Sequence, residues 1–210
     1  NGGDDTITGG AGNDTIFGDF GTELSGTPDL NQIVNGSFED VSGLTSTFYG
    51  FVGTGSIPGW TTSDPNDEID IHNDSRDGQV ATDGANWLDL EASPGNIRIG
   101  QDVQGLVAGE AYELTFDVSD GGSLPFDGPD ENLLNVYWGG QLVATIDPSN
   151  VNESNFETIT LNLVAGAGNG SDRLEFEGTG REDNLGVAVD NVSLVPTTDA
   201  GIAAALEGRG

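Results

Sequence analysis

The stretch YELTFDV, residues 112–118, alternates strictly: Tyr112, Leu114, Phe116 and Val118 are apolar, while Glu113, Thr115 and Asp117 are polar. A period of two places the four apolar side chains on one face of an extended strand. The alternation recurs further along the chain. Ile159, Leu161 and Leu163 alternate with Thr158, Thr160 and Asn162, and Leu174 and Phe176 alternate with Arg173, Glu175 and Glu177. Shorter segments of this kind lie near 33–38, 48–52, 69–72, 86–90, 97–103, 133–138, 142–146 and 187–194, separated by Gly, Pro, Asn and Asp. WGGQ at 138–141 reads as a two-residue hairpin turn. No stretch before residue 200 sustains a period of 3.6. About ten or eleven short strands, each with one apolar face, must pack as two sheets, so the fold class is an all-β sandwich.

The first residues follow another rule. GGAGNDTIF at 9–17 fits G-G-x-G-x-D-x-U-x, with Gly9, Gly10, Gly12, Asp14 and Ile16 in the fixed positions. A frame nine residues earlier holds Gly3, Asp5 and Ile7, and a decaying one nine later holds Gly18, Asp19, Gly21, Glu23 and Leu24. This period resembles the nonapeptide repeat of RTX proteins. Glycines allow sharp turns that aim carbonyl oxygens inward, and the aspartates add hard anionic ligands suited to Ca²⁺. The expected ligands are Asp5, Gly10, Gly12, Asp14 and Asp19. Two and a fraction repeats fall short of the roughly three a solenoid needs, so residues 1–26 are read as a short parallel β-roll remnant of a longer chain. SGTPDLNQ (25–32) links it to the sandwich, which occupies 27–196, and 197–210 form a short helical piece or a linker.

The chain has 210 residues, 36 Asp and Glu against five Arg, no Lys, and a net charge of −31. Such a surface repels nucleic acid phosphates and anionic membranes. The carboxylates also repel one another in a compact state, which a divalent ion relieves; a halophile-type acidic surface is the other reading of the charge alone. With no cysteine there is neither a disulfide framework nor a thiolate site, and a lone His72 argues against a zinc centre. No apolar run approaches the roughly 18 residues of a membrane span, and there is no N-terminal signal peptide; both absences suit the type I secretion that RTX-like proteins use.

VNGSFED (34–40), IPGWTTS (57–63), IGQDVQGLVAGEAYELTFDVS (99–119) and VAVDNVSLV (187–195) occur in that order. They resemble the first strand, an early turn, a central strand–turn–strand and the last strand of galactose-binding-like jelly rolls, which include many carbohydrate-binding modules and ligand-binding domains of RTX adhesins. The resemblance implies an antiparallel jelly roll and a structural calcium joining its first and last strands through Glu39 and Asp190. The residues themselves show a phase slip at Asp190–Asn191, where Val187 and Val189 take one parity and Val192 and Leu194 the other, the mark of a β-bulge.

With Ile69, Ile71, Leu88 and Leu90 facing the core, Asp70, His72, Trp87 and Asp89 face outwards, and by the same parity so does Arg98. Around 133–138 the pattern is ambiguous, with Leu134, Val136 and Trp138 competing against Leu133 and Tyr137, and Tyr137 is read as outward. An exposed aromatic beside Asp and Arg has the composition of a sugar platform, with Trp87 the expected stacking surface. Trp60 and Trp138 are read as core. The loop at 117–132 is either a second calcium site or a flexible acidic segment. Three functions are compatible with these residues. A calcium-dependent carbohydrate-binding module of a secreted RTX adhesin comes first, a calcium-dependent peptide- or protein-binding adhesin module second. A catalytic domain acting on glycans comes last, because the chain lacks most nucleophile and base combinations. The expected setting is extracellular, beside adjoining domains of a longer chain.

Overall fold

The computed structural model describes residues 29–44, 49–73, 79–92, 95–121, 132–148, 155–167, 171–180, 182 and 186–207. The repeat-like segment, with Asp5, Gly10, Gly12, Asp14 and Asp19, lies outside the described residues, as does most of the acidic loop. The described strands form two antiparallel sheets and a small hairpin. The six-stranded sheet runs, in spatial order, β1 (Tyr49–Val52), β3 (Ile69–Asn73), β4 (Asn86–Asp89), β13 (Ala188–Pro196), β8 (Ala111–Ser119) and β11 (Glu157–Val164). The five-stranded sheet runs β10 (Gln141–Ile146), β9 (Asn132–Trp138), β12 (Ser171–Gly180), β7 (Arg98–Gln104) and β2 (Thr61–Thr62). β5 (Glu91–Ala92) pairs with β6 (Gly95–Asn96). This is an antiparallel jelly-roll sandwich.

The alternation that opens the sequence sets its packing. Tyr112, Leu114, Phe116 and Val118 are all buried in the shared core with Phe176 and Leu174 of the facing sheet. Phe116 meets Phe176 edge-on at 5.0 Å between ring centres, a favoured aromatic geometry. Trp60 and Trp138 are core residues, as expected; the indole N–H of Trp60 donates to the Asn35 carbonyl at 3.0 Å and that of Trp138 to the Val164 carbonyl at 2.9 Å. Gln141 pairs with Trp138 across a turn in which Gly139 and Gly140 both have positive φ, 55° and 78°, as a two-residue hairpin of this hand requires. The helix α1 (Asp199–Glu207) follows β13 and packs on it.

One segment differs from its expected form. Residues 33–38 are not a strand. Asn35 and Phe38 hold left-handed φ values of 54° and 57°, and the Asn35 side chain bonds the backbone of Asp40 in both directions. The local side-chain bonds compete with a ladder and win. The loop instead inserts the fully buried Phe38 ring against Trp60 at 5.4 Å, while Gly36 and Gln32 bond β13.

Candidate functional site

Register places four of the expected ligand residues together. Asp70 pairs with Asp89 and His72 with Trp87 across β3 and β4. Ile69, Ile71, Leu88 and Leu90 belong to the core cluster, so the four lie on the opposite, outer face, as the parity predicts. Their exposure is what the sequence misjudges. Asp70 is 4% exposed, His72 1%, and Trp87 and Asp89 0%. Trp87 is therefore not an open platform; it is buried on the outer face of its sheet. A strand's alternation records which residues avoid the core, not whether something else covers them. Residues 79–82 bond the same sheet: Gln79 donates to Ser119 Oγ at 2.5 Å and Thr82 donates to Asp117 at 2.6 Å, both on β8. Tyr49 adds its ring, 5.8 Å from that of His72.

Inside this closed face, His72 Nε2 lies 3.2 Å from Asp70 Oδ2 and 3.6 Å from Asp89 Oδ2. The His72 ring sits 4.3 Å from that of Trp87. Asp89 Oδ1 accepts N–H bonds from Glu91 at 2.8 Å and Gly186 at 2.9 Å. A Cβ at position 186 would come within 2.7 Å of Glu91 N and 2.8 Å of Asp89 Oδ1, so only glycine permits that approach. Burial pushes the Asp89 carboxyl well above its ordinary range, and neighbouring Asp70 and Glu91 add to the rise against those two N–H bonds. Asp70 Oδ1, His72 Nδ1, Gln79 Oε1, Trp87 Nε1 and Asp89 Oδ2 are buried and find no hydrogen-bond partner among the described residues.

Arg98 and Tyr137 sit elsewhere, a correction to the single face expected from sequence. β7 and β9 belong to the five-stranded sheet, and parity along one strand cannot say which sheet the strand joins. The Arg98 guanidinium lies 3.9 Å over the Tyr137 ring and pairs with Glu177 at 3.0 Å. The anionic partner of this arginine is thus internal. Tyr137 donates to Glu177 at 2.6 Å, a bond that raises the phenol above its ordinary value. Burial works to raise Glu177, but hydrogen bonds from Tyr137, Asn135 and Arg98 hold it below the usual carboxylate value.

Glu39 and Asp190 grip one segment from two sides. Glu39 Oε1 accepts from Ala85 N at 2.7 Å and Asn86 N at 2.5 Å. Asp190 Oδ2 accepts from Thr82 N at 2.7 Å and Asp83 N at 3.0 Å, with Thr82 Oγ 3.1 Å away, and Oδ1 accepts from Asn191 N at 2.7 Å. Asp190 is thus committed to protein donors. Burial lifts Asp190 to about 6 despite the N–H bonds from Asp83, Thr82 and Asn191. The ladder shifts register between Asp190 and Ser193, with Asn191 at φ 52°, which is the bulge read from the phase slip. Sequence reading missed Gln79 and Ser119; neither carries a signal of its own, because each joins the face only through the fold.

Near the β5–β6 hairpin, Ser63, Asp64, Pro65, Gly95, Asn96 and Glu182 line an open polar cleft of about 260 Å³ with no aromatic wall. Among the described residues, no helix is long and apolar enough to cross a membrane.

Comparison with known proteins adds a family. The chain is 28% identical over 190 residues to a multifunctional-autoprocessing repeats-in-toxin protein of Vibrio vulnificus, covering 84% of this chain and 3% of the toxin. It is 35% identical over 97 residues to the corresponding Vibrio cholerae toxin, covering 46% of this chain and 2% of that one. The chain thus spans a few per cent of the length of these relatives. Among solved structures, the arabinose-bound α-L-arabinofuranosidase MgGH51 aligns at a TM-score of 0.50 and 13% identity, over 82% of this chain and 27% of that one. TmCBM61 in complex with β-1,4-galactotriose aligns at 0.49 and 16%, over 79% and 98%. At these identities the likeness is one of fold. The family model described as HpiC1 cyclase matches residues 29–195, nearly the whole sandwich, and the chain belongs to this HpiC1-like family.

Proposed function

We propose that the chain is a carbohydrate-binding module of a larger extracellular protein, with its ligand site on the closed outer face of the six-stranded sheet. The observation that carries this is a set of buried polar atoms that find no hydrogen-bond partner among the described residues: oxygens of Asp70, Gln79 and Asp89, the Nδ1 nitrogen of His72 and the N–H of Trp87. Hydroxyl groups both donate and accept, so a polyhydroxylated ligand answers a mixed set that neither a hydrocarbon nor a simple ion could satisfy. The Trp87 indole supplies an apolar wall for a pyranose face. Entry requires the cover over this face to move.

Calcium belongs to the same proposal. A net charge of −31 favours any divalent ion that folding can place, and Glu39 is its first anchor in the sandwich. The similarity to the Vibrio toxins supports an extracellular setting. The test is a glycan array run beside a peptide library, with Ca²⁺ and then with EDTA. Retention of one glycan class is the expected result; retention of peptides alone would sink the carbohydrate reading.

One observation favours a second reading, catalysis. Asp89 is wholly buried with its proton affinity raised, which favours the protonated form that a general acid needs. The family's name, cyclase, is of that kind. Product analysis of array glycans after prolonged incubation separates turnover from binding.

A further inference from the structure

We propose that Asp70 Oδ2, His72 Nε2 and Asp89 Oδ2 form a site for one divalent transition-metal ion of the zinc class. A lone histidine in the sequence argues against such a centre, but the fold brings two aspartates to it. Their ligating atoms all lie within 4.8 Å of one another. The two distances from His72 Nε2, 3.2 and 3.6 Å, bracket the ligand–ligand separation of about 3.3 Å that a tetrahedral ion with bonds near 2.0–2.1 Å imposes. No protein atom has to travel far to close on an ion.

Charge points the same way. Two carboxylates at 4% and 0% exposure face each other across a ladder, and their only ion-pair partner among the described residues is His72. A divalent cation balances the pair and removes the repulsion between Asp70 and Asp89. The donor set selects the metal. An imidazole nitrogen suits zinc and its neighbours, whereas Ca²⁺ takes six to eight oxygens and Mg²⁺ keeps several waters. Asp89 is also oriented as a ligand, because Oδ1 is pinned by Glu91 and Gly186 while Oδ2 is left facing His72.

Asp70 Oδ1, His72 Nδ1, Trp87 Nε1 and Gln79 Oε1 stay clear of the ion, and three protein ligands leave an open coordination position. The inference shares its residues with the carbohydrate reading but does not rest on it, since the ion binds alone.

The experiment uses the full chain, freed of metal, with Zn²⁺ titrated against a chromophoric chelator and Co²⁺ as a spectroscopic substitute. The expected result is one tight equivalent of Zn²⁺, a visible Co²⁺ band typical of a four- or five-coordinate site, and little competition from Ca²⁺. His72→Ala and Asp89→Asn should each weaken Zn²⁺ by more than about a hundredfold, exceeding the ten- to hundredfold cost of losing an outer-shell partner. Glu177→Gln, on the other sheet, should leave it unchanged. Weak, multiple Zn²⁺ uptake that the variants share would mean surface carboxylates only and would overturn the site. The wild-type Co²⁺ spectrum decides the matter even where a variant misfolds. Glycan retention in metal-free chelator, with no Zn²⁺ site, would sink this inference and leave the carbohydrate reading standing.

Discussion

The outer faces of the two sheets carry the same kinds of residue in opposite states. On the five-stranded sheet, Arg98, Tyr137, Asn135 and Glu177 are partly exposed and bonded to one another. On the six-stranded sheet, Asp70, His72, Trp87 and Asp89 are buried, and four of their polar atoms have no partner. An aromatic ring beside charged groups is a sugar site by composition in both places. Among the described residues, only the second has such atoms buried without a partner. Unmet hydrogen-bonding capacity in a covered place distinguishes a binding face from a decorated surface.

The sharpest way to break this contrast is to substitute the aromatic residue of each face. Trp87→Ala removes a fully buried indole and should cost about 3–5 kcal/mol in chemical denaturation, together with all ligand binding. Tyr137→Phe loses one hydrogen bond on a half-exposed face and should cost no more than about 1.5 kcal/mol. Equal losses at the two positions would mean that the faces are energetically alike.

Removing calcium comes next. Glu39 and Asp190 bond the segment at 82–86, and if the proposed Ca²⁺ sits on Glu39, EDTA should lower the melting temperature by several degrees and Mg²⁺ should restore little of it. An unchanged melting curve would strip Glu39 of its metal role and leave the hydrogen bonds as the whole bridge.

A smaller effect is set by pH. The folded-state value of Asp190 is about 6, above the roughly 3.9 of an unfolded aspartate, so between these values the native chain holds the extra proton. Its contribution to stability is then fully present below about pH 4 and is lost as pH rises through about 6. Denaturant melts at intervals across that window should show stability falling with rising pH, with a shallower fall in Asp190→Asn. A rise across the window that the substitution removes would reverse the assignment.

The smallest effect is expected at Arg98. Its pair with Glu177 is partly exposed, worth about 0–1 kcal/mol, and Arg98→Ala should leave ligand affinity within about twofold.

What the sequence made legible follows from the physics each signal records. Alternation at 112–118 and 158–163 fixed strand faces, because a side chain's side of a sheet is a local property. Ile69, Ile71, Leu88 and Leu90 proved to be core and the residues between them outer, as predicted. The slip at Asp190–Asn191 announced a bulge for the same reason. Exposure and partnership were not legible, since both depend on distant segments: Trp87 looked open because nothing local shows that its face is covered. Arg98 and Tyr137 looked like companions of Asp89 because parity does not name the sheet. The loop at 33–38 escaped because Asn35, through bonds to Asp40, overrides an apolar pattern.

The central claim, that the covered face binds and the open face does not, is tested most directly by one paired titration. Wild type, Asp89→Asn and Arg98→Ala are titrated calorimetrically with the glycan that ranks first on the array. The account predicts that Asp89→Asn weakens binding at least about tenfold, the loss of one charged hydrogen bond, while Arg98→Ala matches wild type. Undiminished binding by Asp89→Asn alongside loss in Arg98→Ala would place the ligand on the other sheet and contradict it.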